Sequence, residues 1–254
     1  MATNTFIFVG KYTYFCMNIP AINVKMKDPA SPIHVYFMPG MAAKPTIFEF
    51  IKLPEAQFEM HWLSWIPPLK KESIEAYSKR ICHNVKHENV VLVGVSLGGV
   101  VVQEMQKFIS VRQIVLISSV KTKYEIPGYM HFGRKTGFYK LLPLGLAKYF
   151  GKLEKWPLGK FIKSRLHIYN RYLGVTNTMH LKWAAREMVY WNREKPLPHV
   201  VHIHGNNDHI FPINKIKGCF VVQGGTHLMI INRPRWFNQH LPSLIRFGKL
   251  SALN

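Results

Sequence analysis

A chain of 254 residues with 48% hydrophobic and only 19% charged side chains has the composition of a core-forming protein, which excludes a disordered tail or a collagen-like repeat. Thirty-four Lys and Arg against thirteen Asp and Glu leave a formal charge of +21, of which +12 falls between residues 121 and 195. Such charge attracts anionic surfaces, yet no RRM, KH, zinc-finger or helix-turn-helix pattern accompanies it, so nucleic acid is not the expected partner.

Along the chain, residues 1–16 match no recognisable pattern and, with Met17 as a second candidate start, read as a dispensable extension. Short apolar runs rich in Val, Ile and Phe then recur at Ile33–Met38, Phe58–Leu63, Val90–Val95, Gln113–Ser118, His199–His204 and Gly218–Val222. Helical patterns separate them: Ser73 is placed to cap a helix whose apolar positions Ile74, Tyr77, Ile81 and Val85 recur at spacings of three and four. Strands alternating with helices predict a parallel α/β sheet, and their unbroken hydrophobicity predicts helices on both faces. The alternation stops after Ser118 and resumes near His199, too long a gap for one crossover unit of about 30 residues. The chain is therefore divided into a core at 17–120 and 196–254 and a basic helical insert at 121–195, cut by Pro127, Pro143 and Pro157 into helices such as Lys140–Phe150 and His180–Trp191.

Cys16, Cys82 and Cys219 are odd in number and free of any CxxC pattern, which predicts a reducing, cytoplasmic setting and neither a disulfide framework nor a zinc ribbon. No secretory leader is visible. The longest apolar run, Val90–Val102, is broken by three glycines and a serine and falls short of the roughly 20 residues that span a bilayer.

The stretch Val93-Gly94-Val95-Ser96-Leu97-Gly98-Gly99 reads as a buried strand, a sharp turn and the start of a helix. A serine pinned on such a turn is crowded by the residues two before and two after it, and glycine at both places relieves the clash. A serine hydroxyl needs a base, and the base needs a carboxylate to fix its tautomer. The chain contains only two aspartates, Asp28 and Asp208, and after Glu194 Asp208 is the sole acidic residue. It sits in the polar loop His204-Gly205-Asn206-Asn207-Asp208, immediately after an apolar run. His227 follows the last such run through Gly224-Gly225-Thr226 and is the candidate base, with His209 and His240 as competitors. His202, His204, Asp208 and His209 also cluster within eight residues, but with no further acidic ligand nearby a metal is not expected there. No GxGxxG or GxxxxGK[ST] occurs, so no cofactor is expected.

The GxSxG turn with serine, aspartate and histidine in that order on separate strand-end loops resembles the α/β-hydrolase superfamily from about Ile33 onward. The resemblance implies an α/β-hydrolase fold with a helical lid at the insert, and hydrolysis of a carboxylic ester or thioester through Ser96, His227 and Asp208. It also implies an oxyanion held by the backbone N–H of Leu97 and by one from the loop after an early strand. That loop reads Met38-Pro39-Gly40-Met41, with proline where family members often have histidine, and Met41 is the second donor by position. The expected partner is a small ester or acyl compound, with an anionic portion favoured by the charge. The basic, aromatic segment Lys140–Trp156 reads either as an amphipathic cap or as a membrane-surface contact. Acyl transfer on the same triad, and a ligand-binding or membrane-associated protein on the same scaffold, stand as alternatives.

Overall fold

The computed structural model describes residues 5–9, 12–16, 32–137, 171–174 and 177–250. Near the N-terminus β1 (Thr5–Val9) and β2 (Tyr12–Cys16) pair antiparallel, an element that the sequence reading did not name. The six apolar runs are strands β3 (Ile33–Met38), β4 (Phe58–Trp62), β5 (Val90–Val95), β6 (Gln113–Ile117), β7 (Val200–Gly205) and β8 (Phe220–Val222). They form one sheet in the order β4-β3-β5-β6-β7-β8, and every neighbouring pair is parallel.

Both faces are covered, which is why these strands lack polar alternation. Along β3, Tyr36 and Met38 enter one core while Val35 and Phe37 enter the other, as the two-residue period of a strand requires. On the first face lie α1 (Ile74–Cys82) and α2 (Leu97–Met105), contributing Tyr77, Ile81 and Val101. The Ser73 side chain caps α1 by accepting from the Ala76 N–H at 3.2 Å. The helix closes at Cys82, three residues earlier than its apolar spacing suggests. The Val85 N–H bonds the Cys82 carbonyl in a turn, and Val85 still packs on the core.

The chain leaves β6 at Ile117 and returns at Val200. Between them the described residues form α3 (Gly128–Thr136), which the sequence reading did not name, and α4 (Thr178–Tyr190). Helix α4 starts two residues before the expected His180, because Asn177 caps it by accepting from the Met179 and His180 N–H groups. The expected helix Lys140–Phe150 lies outside the described residues. After β8 come α5 (Met229–Asn232) and α6 (Pro234–Phe247), and α6 covers the second face with Phe237, Leu241 and Leu244. Among the described residues no helix is long and apolar enough to cross a membrane. Strand order reverses between β3 and β5, and a crevice at the carboxyl ends there is where such sheets bind ligands.

Candidate active site

Ser96 sits between the last residue of β5 and the first of α2, with φ 53° and ψ −122°. For a serine this is a strained, left-handed conformation, held by the Ser96 N–H to Ile117 carbonyl bond at 3.0 Å and by the Ser119 hydroxyl donating to the Ser96 carbonyl at 2.7 Å. A methyl group on Gly94 would stand 2.5 Å from the Gly98 carbonyl, and one on Gly98 would collide with the Met38 and Pro39 carbonyls. The two glycines thus act differently. Gly94 lets the turn close on itself, whereas Gly98 lets α2 settle against the carboxyl end of β3.

A second backbone approach brings the other two loops together. A Cβ on Gly205, at the end of β7, would strike the Gly225 carbonyl, and the Asn207 N–H donates to that carbonyl at 2.9 Å. The loop bearing Asp208 is therefore laid directly on the loop bearing His227. The His227 Nδ1–H donates to Asp208 Oδ2 at 2.9 Å, and His227 Nε2 lies 3.0 Å from Ser96 Oγ. With Nδ1 protonated, Nε2 presents a lone pair and the serine hydroxyl donates to it.

Asp208 is fully buried at its side chain. Burial alone would raise its pKa, but the hydrogen bond and charge of His227, with the Phe211 N–H donating at 2.9 Å, hold the carboxyl below the usual carboxylate range. His204 lies 3.6 Å from the same carboxylate but donates its Nε2–H to the Phe211 carbonyl at 2.8 Å, and burial keeps its pKa low. His202 is buried in β7 and His209 is exposed, so the four residues that cluster in sequence do not converge on one point. His240, the remaining competitor, is buried on α6 against Trp236.

A cavity of about 300 Å³ opens beside Ser96 and His227. Gly40, Met41 and Leu97 form its wall at the serine, and apart from His227 and Tyr172 no ionisable side chain lines it among the described residues. Leu97 is the first residue of α2, so its N–H has no partner within the helix. The Gly40 carbonyl accepts from Trp65 Nε1 at 2.8 Å. The peptide linking Gly40 to Met41 is trans, so anchoring that carbonyl turns the Met41 N–H the opposite way. Sequence reasoning missed Trp65, since nothing in its local pattern marks it as the orienter of a loop 25 residues upstream.

The insert contributes Met130, Tyr172, Leu173 and Met188 to the cavity. Its first end is tethered by the Tyr129 hydroxyl donating to the Ile210 carbonyl at 2.8 Å. Its return is laced to the loop after β3: Ala43 and Leu173 form an antiparallel bridge, the Lys44 N–H donates to the Tyr172 carbonyl at 2.7 Å, and the Gly174 N–H donates to the Ala42 carbonyl at 2.8 Å. Cys82 and Cys219 are free and buried, with thiols pushed up by burial to about 11 and about 12, which leaves them unreactive.

No family profile and no curated protein matches this sequence. Solved structures do match over most of the chain. A thermophilic esterase from Thermogutta terrifontis is 13% identical with a TM-score of 0.57, covering 87% of this chain and 92% of its own. A hydrolase from Pseudomonas aeruginosa is 14% identical at 0.58, covering 95% and 97%. An esterase from Exiguobacterium antarcticum is 17% identical at 0.56, covering 96% and 100%. At these identities the likeness is one of architecture, and it shows that the chain has the α/β-hydrolase fold.

Proposed function

We propose that this chain is a serine hydrolase acting on carboxylic esters or thioesters, with Ser96 as nucleophile, His227 as general base and Asp208 as the carboxylate that orients it. The observation that carries this reading is the unbroken hydrogen-bonded chain from Asp208 through His227 to Ser96, opening onto an apolar cavity. Ser96 Oγ attacks the acyl carbonyl as His227 Nε2 takes its proton, and Asp208 stabilises the resulting imidazolium. The Leu97 and Met41 N–H groups hold the oxyanion. Collapse of the tetrahedral intermediate expels the alcohol or thiol, which His227 protonates, and leaves an acyl-enzyme. Water, deprotonated by His227, then attacks the acyl carbonyl and releases the acid and the free serine.

The cavity supports an uncharged acyl chain on the acid side, because its walls carry aliphatic and methionine side chains. Of the segment 121–195, Met130, Tyr172, Leu173 and Met188 line the cavity, and the excess of lysine and arginine in that stretch of sequence is the reason to include an anionic ester in any substrate panel. The deciding experiment is labelling with a fluorophosphonate alongside turnover of p-nitrophenyl esters of graded chain length. A Ser96 adduct with turnover of the shorter esters supports hydrolysis. Folded protein that forms no adduct and turns over none of them overturns it.

A further inference from the structure

At the opposite end of the sheet from Ser96, four side chains of metal-binding type lie together. His34 is the second residue of β3, Glu59 and His61 lie on the edge strand β4, and His87 comes from the segment between α1 and β5. One ligand atom from each lies within 4.8 Å of all the others. The parallel register sets up three of them: His34 stands opposite Glu59 and Tyr36 opposite His61, so His34, Glu59 and His61 share one face of the sheet. His34 Nδ1 and His61 Nε2 are 3.1 Å apart, and Glu59 carboxylate oxygens lie 3.4 Å from the first and 3.6 Å from the second. Two nitrogens bound tetrahedrally to one zinc at about 2.0–2.1 Å stand roughly 3.3 Å apart, so this pair already has the spacing of two ligands.

We infer that His34, Glu59, His61 and His87 form a binding site for one zinc ion, separate from the proposed ester-cleaving centre. Three imidazoles and one carboxylate fit a borderline divalent cation and do not fit calcium or magnesium, which take oxygen ligands. His34 and His61 are half-buried on strands and form the fixed half of the site, while Glu59 and His87 are exposed and close on the ion by side-chain rotation. The Tyr36 hydroxyl, 2.6 Å from His87 Nδ1 and accepting the Lys86 N–H at 3.1 Å, holds the His87 ring stacked on His34, with ring centroids 4.0 Å apart, and this is the position that His87 leaves to reach the ion. The ion would tie the edge strand β4 and the segment before β5 to β3. Along β5, the partner of His34 is Val90, six residues and about 20 Å from Ser96, too far for the ion to touch the reacting atoms.

The test uses the untagged full chain, stripped with chelator and desalted, titrated with Co²⁺ and then displaced with Zn²⁺. One equivalent of Co²⁺ is expected to give the visible bands of four-coordinate cobalt, lost on adding one equivalent of Zn²⁺. Saturating Zn²⁺ is expected to raise the melting midpoint by about 5 °C or more, because the ion binds the folded chain. His87→Ala should weaken binding at least about ten-fold, with its midpoint in chelator read alongside to separate loss of a ligand from loss of the Tyr36 contact, and His61→Asn should abolish the cobalt spectrum. Absence of saturable binding to the folded wild-type chain overturns the site. So does one-equivalent binding that persists unchanged in the His61→Asn/His87→Ala double variant, which would put the ion elsewhere. Repeating the titration on Ser96→Ala keeps this outcome independent of the hydrolase reading.

Discussion

At the carboxyl ends of the strands, Ser96, Asp208 and His227 stand on three loops held together by backbone packed against backbone. Towards the amino ends, His34, Glu59 and His61 stand in register on two neighbouring strands, and at the proposed zinc site only Glu59 and His87 need side-chain rotation. The electrostatics differ as well. Asp208 is buried and its charge is stabilised by donated hydrogen bonds, whereas burial and the neighbouring His87 push His34 and His61 below the ordinary imidazole value, partly offset by Glu59. The proposed ester-cleaving site, which needs fixed angles to a reacting carbonyl, is built on tight glycine contacts. The proposed zinc site, which needs only ligand atoms within reach, has exposed, movable ligands in Glu59 and His87.

Four substitutions test the rigid end of that contrast, in falling order of effect. Ser96→Ala should reduce p-nitrophenyl ester hydrolysis about 10⁴-fold or more in kcat, as loss of a triad nucleophile does, and retention of most turnover would remove Ser96 from the chemistry. Asp208→Asn should cost about 10⁴-fold in kcat with little change in KM, because the imidazole loses the partner that fixes its tautomer. Gly205→Ala, which must push the Asp208 loop off the His227 loop, should cost about 100-fold in kcat, the scale of an ångström-sized misplacement. Circular dichroism on the same sample separates displacement from unfolding. Trp65→Phe keeps the ring packing and removes only the N–H to Gly40, so a loss of about ten-fold in kcat is expected, less than removal of an oxyanion donor itself.

The smallest effect is on stability. Since the Asp208 carboxyl is held below its unfolded value, the unfolded chain binds more protons in acid. The contribution is present above the unfolded pKa, about 3.9, and fades as pH falls through the lower folded value. The gap in melting midpoint between wild type and Asp208→Asn should therefore narrow between pH 6 and pH 3. A gap that widens in acid would contradict the hydrogen-bonded, ionised state.

The strands and the Ser96 turn were legible because their signals are local: a buried parallel strand is a continuous apolar run, and a strained turn needs its glycines within two residues. Asp208 stood out because acids are so scarce after Glu194. By contrast, the β1–β2 hairpin was passed over although Gly10-Lys11 separates two short runs of β-branched and aromatic residues, and α3 lies in a segment without a clean apolar period. The cluster at His34 was invisible for a different reason. Its histidines are 27 and 26 residues apart, and only the register of β3 with β4 makes neighbours of them, whereas the tighter sequence cluster at His202–His209 is dispersed by the direction of β7 and its loop.

The bridge between Ala43 and Leu173 means that the strap over the cavity and the wall beside Met41 share hydrogen bonds. On the proposed reading, displacing residues 171–174 to admit a bulky acyl group would drag on the peptide that faces the serine, so admission and transition-state binding would not be tuned separately. Enlarging the entrance by engineering would then soften the proposed oxyanion contact at Met41. Broader substrate range and turnover should then trade against each other along this single strap.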